Sequence, residues 1–152
     1  MKYSEAAIGR IFVIKLEDDE RLPDAVESFA EEKGITRGMC FLVGGIKEGG
    51  KIVVGPEDAA SSPIIPAIHE LIGVHEILGI GNIFPDEKGR PRLHMHAALG
   101  RGGQVKAGCT RPGIEVWKVG ELLLLEFKNN QCYRKRDPVT GFEILEPGGE
   151  KQ

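Results

Sequence analysis

Long hydrophobic runs are missing from this 152-residue sequence. Its run of four leucines, residues 122–125, is far short of the ~20 apolar residues that span a bilayer. The N-terminal segment MKYSEAAIGR also lacks the apolar centre of a signal peptide. We therefore expect neither a membrane segment nor a secretion signal.

Paired cysteine motifs are missing as well. The three cysteines, Cys40, Cys109 and Cys132, are odd in number, widely spaced and without a C-x-x-C motif. Such usage is typical of free thiols in a reducing compartment rather than of a disulfide framework. It predicts a cytoplasmic protein.

The sequence also lacks a surplus of basic residues. The chain has 20 lysines and arginines against 23 acidic residues, which gives a net charge of −3 at pH 7. Nucleic-acid-binding proteins usually carry a positive surplus that neutralises phosphates, so the balance argues against DNA as the main partner, although a local basic patch stays compatible with it.

The 41% apolar and 28% charged residues exclude wholesale disorder, and the length predicts one domain over residues 1–152.

What the sequence does contain is one helical pattern followed by many strand patterns. Residues 10–16, RIFVIKL, are rich in β-branched and aromatic residues and predict a strand. Apolar residues recur at helical spacing over residues 22–30, and Gly34 is placed to end that helix. Further strands are predicted over residues 39–43, 52–54, 71–84, 93–99, 105–109 and 114–127, the last with a break near Gly120, and residues 56–66 are predicted to be a loop.

This order of elements predicts an α+β fold. One principal α-helix lies near the N-terminus, and the consecutive strands form a mainly antiparallel sheet. Several of the 21 glycines fall inside predicted strands, where bulges bend a sheet strongly. The C-terminal extension, residues 129–152, is polar. We expect its basic cluster YRKR, residues 133–136, to be solvated or salt-bridged, with contact to nucleic acid as the alternative.

Two histidines are the first chemical signal. Residues i and i+2 of a strand point to the same side of a sheet, so His94 and His96 project together. This spacing can aim two imidazoles at one metal ion. An H-x-H motif is weak evidence by itself, because two half-exposed histidines on a sheet face have the same pattern.

The turn after this strand adds a third donor. The Gly-Gly pair at residues 102–103 suits a two-residue hairpin turn, in which both residues need positive φ. That turn places Cys109 opposite His96, with His94 on the same face, and opposed Cβ atoms lie about 4.5–5.5 Å apart. Two imidazoles and a thiolate suit zinc, or another divalent transition metal, with a fourth position open to water or substrate. A register slip of one residue would turn Cys109 to the other face.

Other interpretations of these side chains stay open. A free cysteine is commonly a small buried hydrophobe, which is the alternative for Cys109. His75 and His69 are candidates for a further ligand, either within the chain or from a neighbouring subunit. Glu76 is a candidate general acid or base, and its alternative is an exposed carboxylate on a strand.

The segment PDEKGRPR, residues 85–92, contains the Gly-Arg-Pro core of the short hooks that enter the minor groove of DNA. Gly89 and Pro91 are also ordinary turn residues. Asp86 and Glu87, just before the core, would repel phosphates. We therefore predict a turn between two strands.

The order of three segments resembles the plants-and-prokaryotes-conserved (PPC) domain family. The segments are GRIFVIKLEDDERLPDAVESFAEEKGITRGMCFLVGGI, HEILGIGNIF and GRPRLHMHAALGRGGQVKAGC, and the match covers roughly residues 8–128. Many prokaryotic members of this family carry H-x-H on one strand and Gly-Gly-His at the end of the next. In this chain Cys109 stands where the third imidazole would be. A more distant likeness, limited to the ligand pattern, is to acetolactate decarboxylase.

The resemblance implies an α+β sheet fold assembled as a homotrimer. It is closest to the stand-alone prokaryotic members, whose biochemical activity is not established. In plants the domain accompanies separate AT-hooks and mediates protein association. The main prediction is therefore a metal-binding, oligomeric domain whose metal site is His94, His96 and Cys109.

A zinc-dependent lyase, decarboxylase or hydrolase acting on a small oxo acid is the second hypothesis. Arg92, Arg101 and Arg111 are candidates to hold a carboxylate, and Glu76 or His75 to move protons, but no spacing singles out a catalytic residue. A DNA-associated regulator is the third hypothesis, and the acidic balance places it last.

Overall fold

The computed structural model describes residues 1–61 and 63–148. Its elements, in chain order, are β1 (Ala7–Leu16), β2 (Arg21–Leu22), α1 (Asp24–Glu32), β3 (Gly38–Ile46), β4 (Lys51–Pro56), β5 (Pro66–Glu70), β6 (His75–Pro85), β7 (Pro91–Arg101), β8 (Gln104–Lys128), β9 (Tyr133–Arg136) and β10 (Glu143–Glu146).

The strand β8 organises the main sheet. It is 25 residues long, so its first part pairs with β7 and β4 while its second part pairs with β1 and β3. Since β3 also pairs with β6, and β6 with β7, the pairings return to β8 and the sheet is strongly curved. All these pairings are antiparallel. The hairpin of β9 and β10 forms a separate two-stranded sheet.

The core lies on the side of the sheet that α1 covers. The helix buries Val26 and Ala30, and the ring of Phe29 meets that of Phe12 edge to face, with centroids 5.4 Å apart. Alternate residues of the central strands point into this core because side chains of a strand alternate between its faces. We call this side the inner face; its fully buried members include Leu42, Met95, Leu99, Leu122 and Leu124.

The opposite side of the sheet carries apolar residues that α1 does not cover. Val13, Leu123, Phe41, Ile80 and His96 are register neighbours across five strands and all are exposed. We call this side the outer face. Leu78 and Ile80 leave 67% and 55% of their surface accessible, which is unusual for aliphatic residues in the middle of a sheet.

The predicted antiparallel sheet, first strand and helix are confirmed, but the fold contains more β-structure than the predicted α+β class. Strands form 59% of the chain, with one short helix among the described residues, so the domain is mostly β. Strand β8 runs through Gly120 without a break, but its pairing with β3 shifts there. Gly44 pairs with Gly120 and Gly45 with Trp117, so the irregularity is a bulge in β8, next to the predicted position. The residues from Pro66 to Glu70, partly assigned to a loop, form the edge strand β5, where a proline is tolerated at the first position.

Within residues 1–61 and 63–148, no helix is both long and apolar enough to cross a membrane.

Candidate metal centre

The hairpin between β7 and β8 sets the register on which the candidate site depends. Gly102 and Gly103 form the turn with φ of 57° and 78°, the positive values that the Gly-Gly pair predicted. Arg101 therefore pairs with Gln104, and five positions further along the ladder His96 pairs with Cys109. The predicted register is confirmed.

Three possible metal ligands meet at this position. The ligand atoms of His94, His96 and Cys109 all lie within 4.8 Å of one another, and the two Nε2 atoms are 3.1 Å apart. In a tetrahedral zinc site with Zn–N bonds of about 2.0–2.1 Å, two nitrogen donors lie about 3.3 Å apart. The two imidazole nitrogens are therefore already close to the spacing that one shared ion needs, and the sulfur lies within reach of the same position.

The three donors differ in their exposure. Cys109 is buried, His94 is partly buried and His96 is exposed on the outer face. Burial, as the largest cause, together with the positive charges of Arg134 and Arg111 and the neighbouring His96, lowers the pKa of His94 to about 4. His94 is therefore neutral near pH 7, and a neutral imidazole is the form that binds a metal.

A guanidinium group contacts the sulfur. Arg111 Nε donates a hydrogen bond to Cys109 Sγ at 3.2 Å. The thiolate is the form of cysteine that binds metals, and here a positive charge is already in place beside it. The donor set of two imidazoles and one sulfur fits zinc and similar divalent ions.

Arg134 completes this region from a distant part of the chain. It lies on β9, is only 6% exposed, and its Nη2 donates to Asn82 Oδ1 at 2.5 Å. Its Nη1 donates to the carbonyl oxygen of Glu143 at 3.4 Å. The prediction that the basic cluster at residues 133–136 is solvated or salt-bridged is wrong for this residue. Its signal in the sequence is weak: the buried Cys132 stands two residues earlier, on the same side of an extended segment.

A small cavity of about 110 Å³ lies against His94. The residues that line it come from α1 and the residue before it, β7, β8 and the β9–β10 hairpin: Pro23, Glu27, Arg92, Leu93, His94, Arg111, Arg134 and Glu143. Glu27 accepts hydrogen bonds from Arg92 Nη1 at 2.7 Å and from the backbone N–H of Leu93 at 2.8 Å. Burial raises the pKa of Glu27, while those partners act in the opposite direction.

His75 and His69 lie outside the cluster. His75 is buried, and its Nδ1 is 2.9 Å from the carbonyl oxygen of Gly73. His69 belongs to the edge strand β5. Among the described residues, neither joins the group of ligands formed by the other two histidines.

The arginines predicted to hold a carboxylate and the predicted acid or base Glu76 lie at two different ends of the β6–β7 pair. Arg92 and Arg111 line the cavity beside His94, whereas Arg101 donates to the carbonyl oxygen of Val74 at 2.8 Å. Glu76 is exposed and pairs with Gly100 at that same end. Two of the three predicted arginines are therefore near the candidate site, and the predicted carboxylate is not.

The Gly-Arg-Pro segment forms the predicted turn between β6 and β7. Asp86 Oδ1 accepts hydrogen bonds from the backbone N–H groups of Lys88 and Arg90, each at 2.9 Å. The side chain of Arg90 also pairs with Asp86, at 2.7 Å. The central arginine of the hook pattern is thus bound within its own turn.

The model of the plants-and-prokaryotes-conserved domain matches residues 3–128. The chain belongs to this family. No curated protein matches the chain significantly.

Solved structures share the PPC fold. A plant- and prokaryote-conserved protein from Pyrococcus horikoshii is 25% identical, with a TM-score of 0.83, covering 99% of this chain and 100% of that one. The metal-containing protein from Archaeoglobus fulgidus is 26% identical, with a TM-score of 0.83 and coverage of 96% and 99%. A protein from Bacteroides thetaiotaomicron, named as a candidate DNA-binding protein, is 20% identical, with a TM-score of 0.73 and coverage of 93% and 96%.

Proposed function

We propose that this PPC domain binds one divalent transition metal ion per chain, zinc in the first place, through His94, His96 and Cys109. The observation that carries the proposal is the convergence of three ligand atoms within 4.8 Å, two of them imidazole nitrogens 3.1 Å apart.

The electrostatics of the cluster support the same proposal. His94 is held neutral at physiological pH, and Arg111 supplies a positive charge beside the sulfur. The relative from Archaeoglobus fulgidus is named as a metal-containing protein and is similar over nearly the whole chain. These observations agree with a metal site that uses the chain's own thiol as its third donor.

We also propose that the chain associates with itself, as a homotrimer. The outer face exposes Phe41, Leu78, Ile80 and Leu123 side by side, and contiguous apolar surface of this kind is typical of subunit interfaces. His96 lies in the same row as Ile80, so a subunit packed there would approach the metal site. The homotrimer is the assembly that the family resemblance implies.

A zinc-dependent lyase or hydrolase acting on a small oxo acid is the second candidate function. The observation that favours it is the cavity beside His94, which Arg92 and Arg111 line. When bound to three protein donors, zinc supplies a Lewis acid with one free coordination position. Turnover of a small oxo acid that disappears with a chelator and returns with zinc would establish this class.

Binding to DNA has less support. The net charge is −3, and Arg90 is paired with Asp86. A DNA-associated role requires duplex binding that weakens steeply with salt and with Arg90→Ala.

Metal content tests the proposal directly. We expect about one zinc per chain by mass spectrometry of the purified protein, and loss of that metal in His94→Ala and in Cys109→Ala. His69→Ala is the matched control, since it removes a partly exposed histidine outside the cluster and should keep the metal. A wild-type protein that stays metal-free after incubation with zinc would refute the site. Metal retained in Cys109→Ala alone would remove the thiol from the ligand set.

A further inference from the structure

The cavity beside His94 carries more positive charge than its own carboxylates balance. Three guanidinium groups line it, from Arg92, Arg111 and Arg134, against the carboxylates of Glu27 and Glu143. The Arg92–Glu27 pair is internally neutral, with N and O atoms 2.7 Å apart. The imbalance therefore lies with the other two arginines.

Neither of these arginines has an anionic oxygen as a direct partner. Arg134 donates to two neutral oxygens, and Arg111 Nε donates to the sulfur of Cys109. Within the part of the chain that the structure describes, no carboxylate oxygen lies within salt-bridge distance of either guanidinium. Glu143 is exposed at the edge of the cavity, too far from Arg134 to form an ion pair with it.

A buried guanidinium without a counter-charge is costly, since burial removes its hydration. Arg134 is 6% exposed, and burial lowers its pKa; the charge of Glu143 acts against this shift, and that of Arg111 acts with it. A planar guanidinium matches the two oxygens of a carboxylate. An anion between Arg111 and Arg134 would supply the missing charge.

We propose that this cavity binds a small monocarboxylate, held by Arg111 and Arg134, next to His94. The volume of about 110 Å³ corresponds to about three or four liquid water molecules at roughly 30 Å³ each, which is enough for an acid of the size of acetate or pyruvate. A monoanion fits better than phosphate, because two carboxylates already line the cavity and one positive charge is left over.

This proposal extends the proposed function. It rests on the metal site only in placing a metal next to the bound carboxylate. His94, a proposed metal ligand, forms one wall of the cavity in which the two arginines would hold the carboxylate. The bound carboxylate would therefore lie beside one of the residues proposed to hold the metal. The anion site itself depends on the arginines alone, so the two proposals can fail separately.

The test measures pyruvate binding by isothermal titration calorimetry to wild type, Arg134→Met and Arg111→Met, with the metal content of each sample determined in parallel. Arg101→Met is the control, because that arginine binds the Val74 carbonyl at the far end of β7. We expect pyruvate affinity to fall at least tenfold in both cavity variants and to be unchanged in the control. Pyruvamide, the neutral analogue of similar shape, should not bind, and inorganic phosphate should bind more weakly than pyruvate.

The outcomes separate the two proposals. Metal-loaded wild type that does not bind pyruvate, or binds it as tightly as Arg134→Met does, overturns the carboxylate site and leaves the metal site intact. If wild type holds no metal but binds pyruvate, and Arg134→Met does not bind it, the carboxylate site is supported and the metal site is overturned. Phosphate binding as tight as that of pyruvate overturns the monocarboxylate assignment. If thermal melting shows that Arg134→Met is unfolded, Arg111→Met decides, since Arg111 is exposed and its replacement removes no buried packing.

Discussion

The two faces of the main sheet are built from the same kinds of residues but have different consequences. On β8, Leu124 points to the inner face and is 0% exposed, while its neighbour Leu123 points to the outer face and is 39% exposed. The inner face is covered by α1 and accounts for the stability of the fold. The outer face is apolar but α1 does not cover it, and its row of exposed residues leads to His96, which pairs with Cys109. An apolar surface outside the core is what the proposed self-association requires.

A charge introduced into the outer face should have the largest effect on the number of chains in the assembly. Ile80→Asp places a charge in the middle of the exposed apolar row, and burying an unpaired charge in an interface is costly. We expect the wild type to sediment as three chains and the variant as one chain. Ile72→Asp is the control: Ile72 is an exposed isoleucine on the loop before β6, and its replacement should leave three chains. A wild type that sediments as one chain would contradict the homotrimer.

Breaking the inner face should have the largest effect on the stability of the chain itself. Leu124→Ala removes a fully buried side chain and is expected to lower the free energy of unfolding by about 2–5 kcal/mol. Leu123→Ala, one residue away, should cost less than about 1 kcal/mol. Both are measured by urea unfolding in the Ile80→Asp background, so that subunit dissociation does not contribute. Equal losses would mean that the two faces are not distinct.

A smaller, pH-dependent effect should come from Glu126, a buried carboxylate on the inner-face side of β8. Hydrogen bonds from Arg10 and, to a lesser extent, Lys128 lower its pKa from 4.5 to about 2, against the opposing effect of burial. Because the folded pKa is the lower one, its stabilising contribution is present above about pH 4.5 and is lost as the pH falls towards 2.

Replacement of this carboxylate should remove that part of the pH dependence. We expect Glu126→Gln to be less stable than wild type at pH 7, with a difference that shrinks at pH 3, as measured by urea unfolding at both values. Glu121→Gln, an exposed position on the same strand, is the control. A difference that stays constant between pH 7 and pH 3 would show that the carboxylate's charge does not contribute.

Parts of the fold could be predicted where the signal is local. The first strand and the helix follow from alternation and helical spacing, and both were confirmed. The predicted α+β class had too few strands because several strands have little pattern of their own: β5 begins with Pro66, and β9 and β10 have only four residues each. Such strands form because neighbouring backbone is available to pair with, which is a property of the fold.

The candidate site divides in the same way. The sequence by itself determined that Cys109 faces His96, because two consecutive glycines with positive φ set the register of the hairpin within ten residues on either side. Only the tertiary structure decided that Arg134 lies against that site. Its contact with Asn82 spans 52 residues of chain, and no local spacing encodes where a returning hairpin packs. Registers within a hairpin are local geometry, whereas the packing of one sheet against another depends on the whole fold.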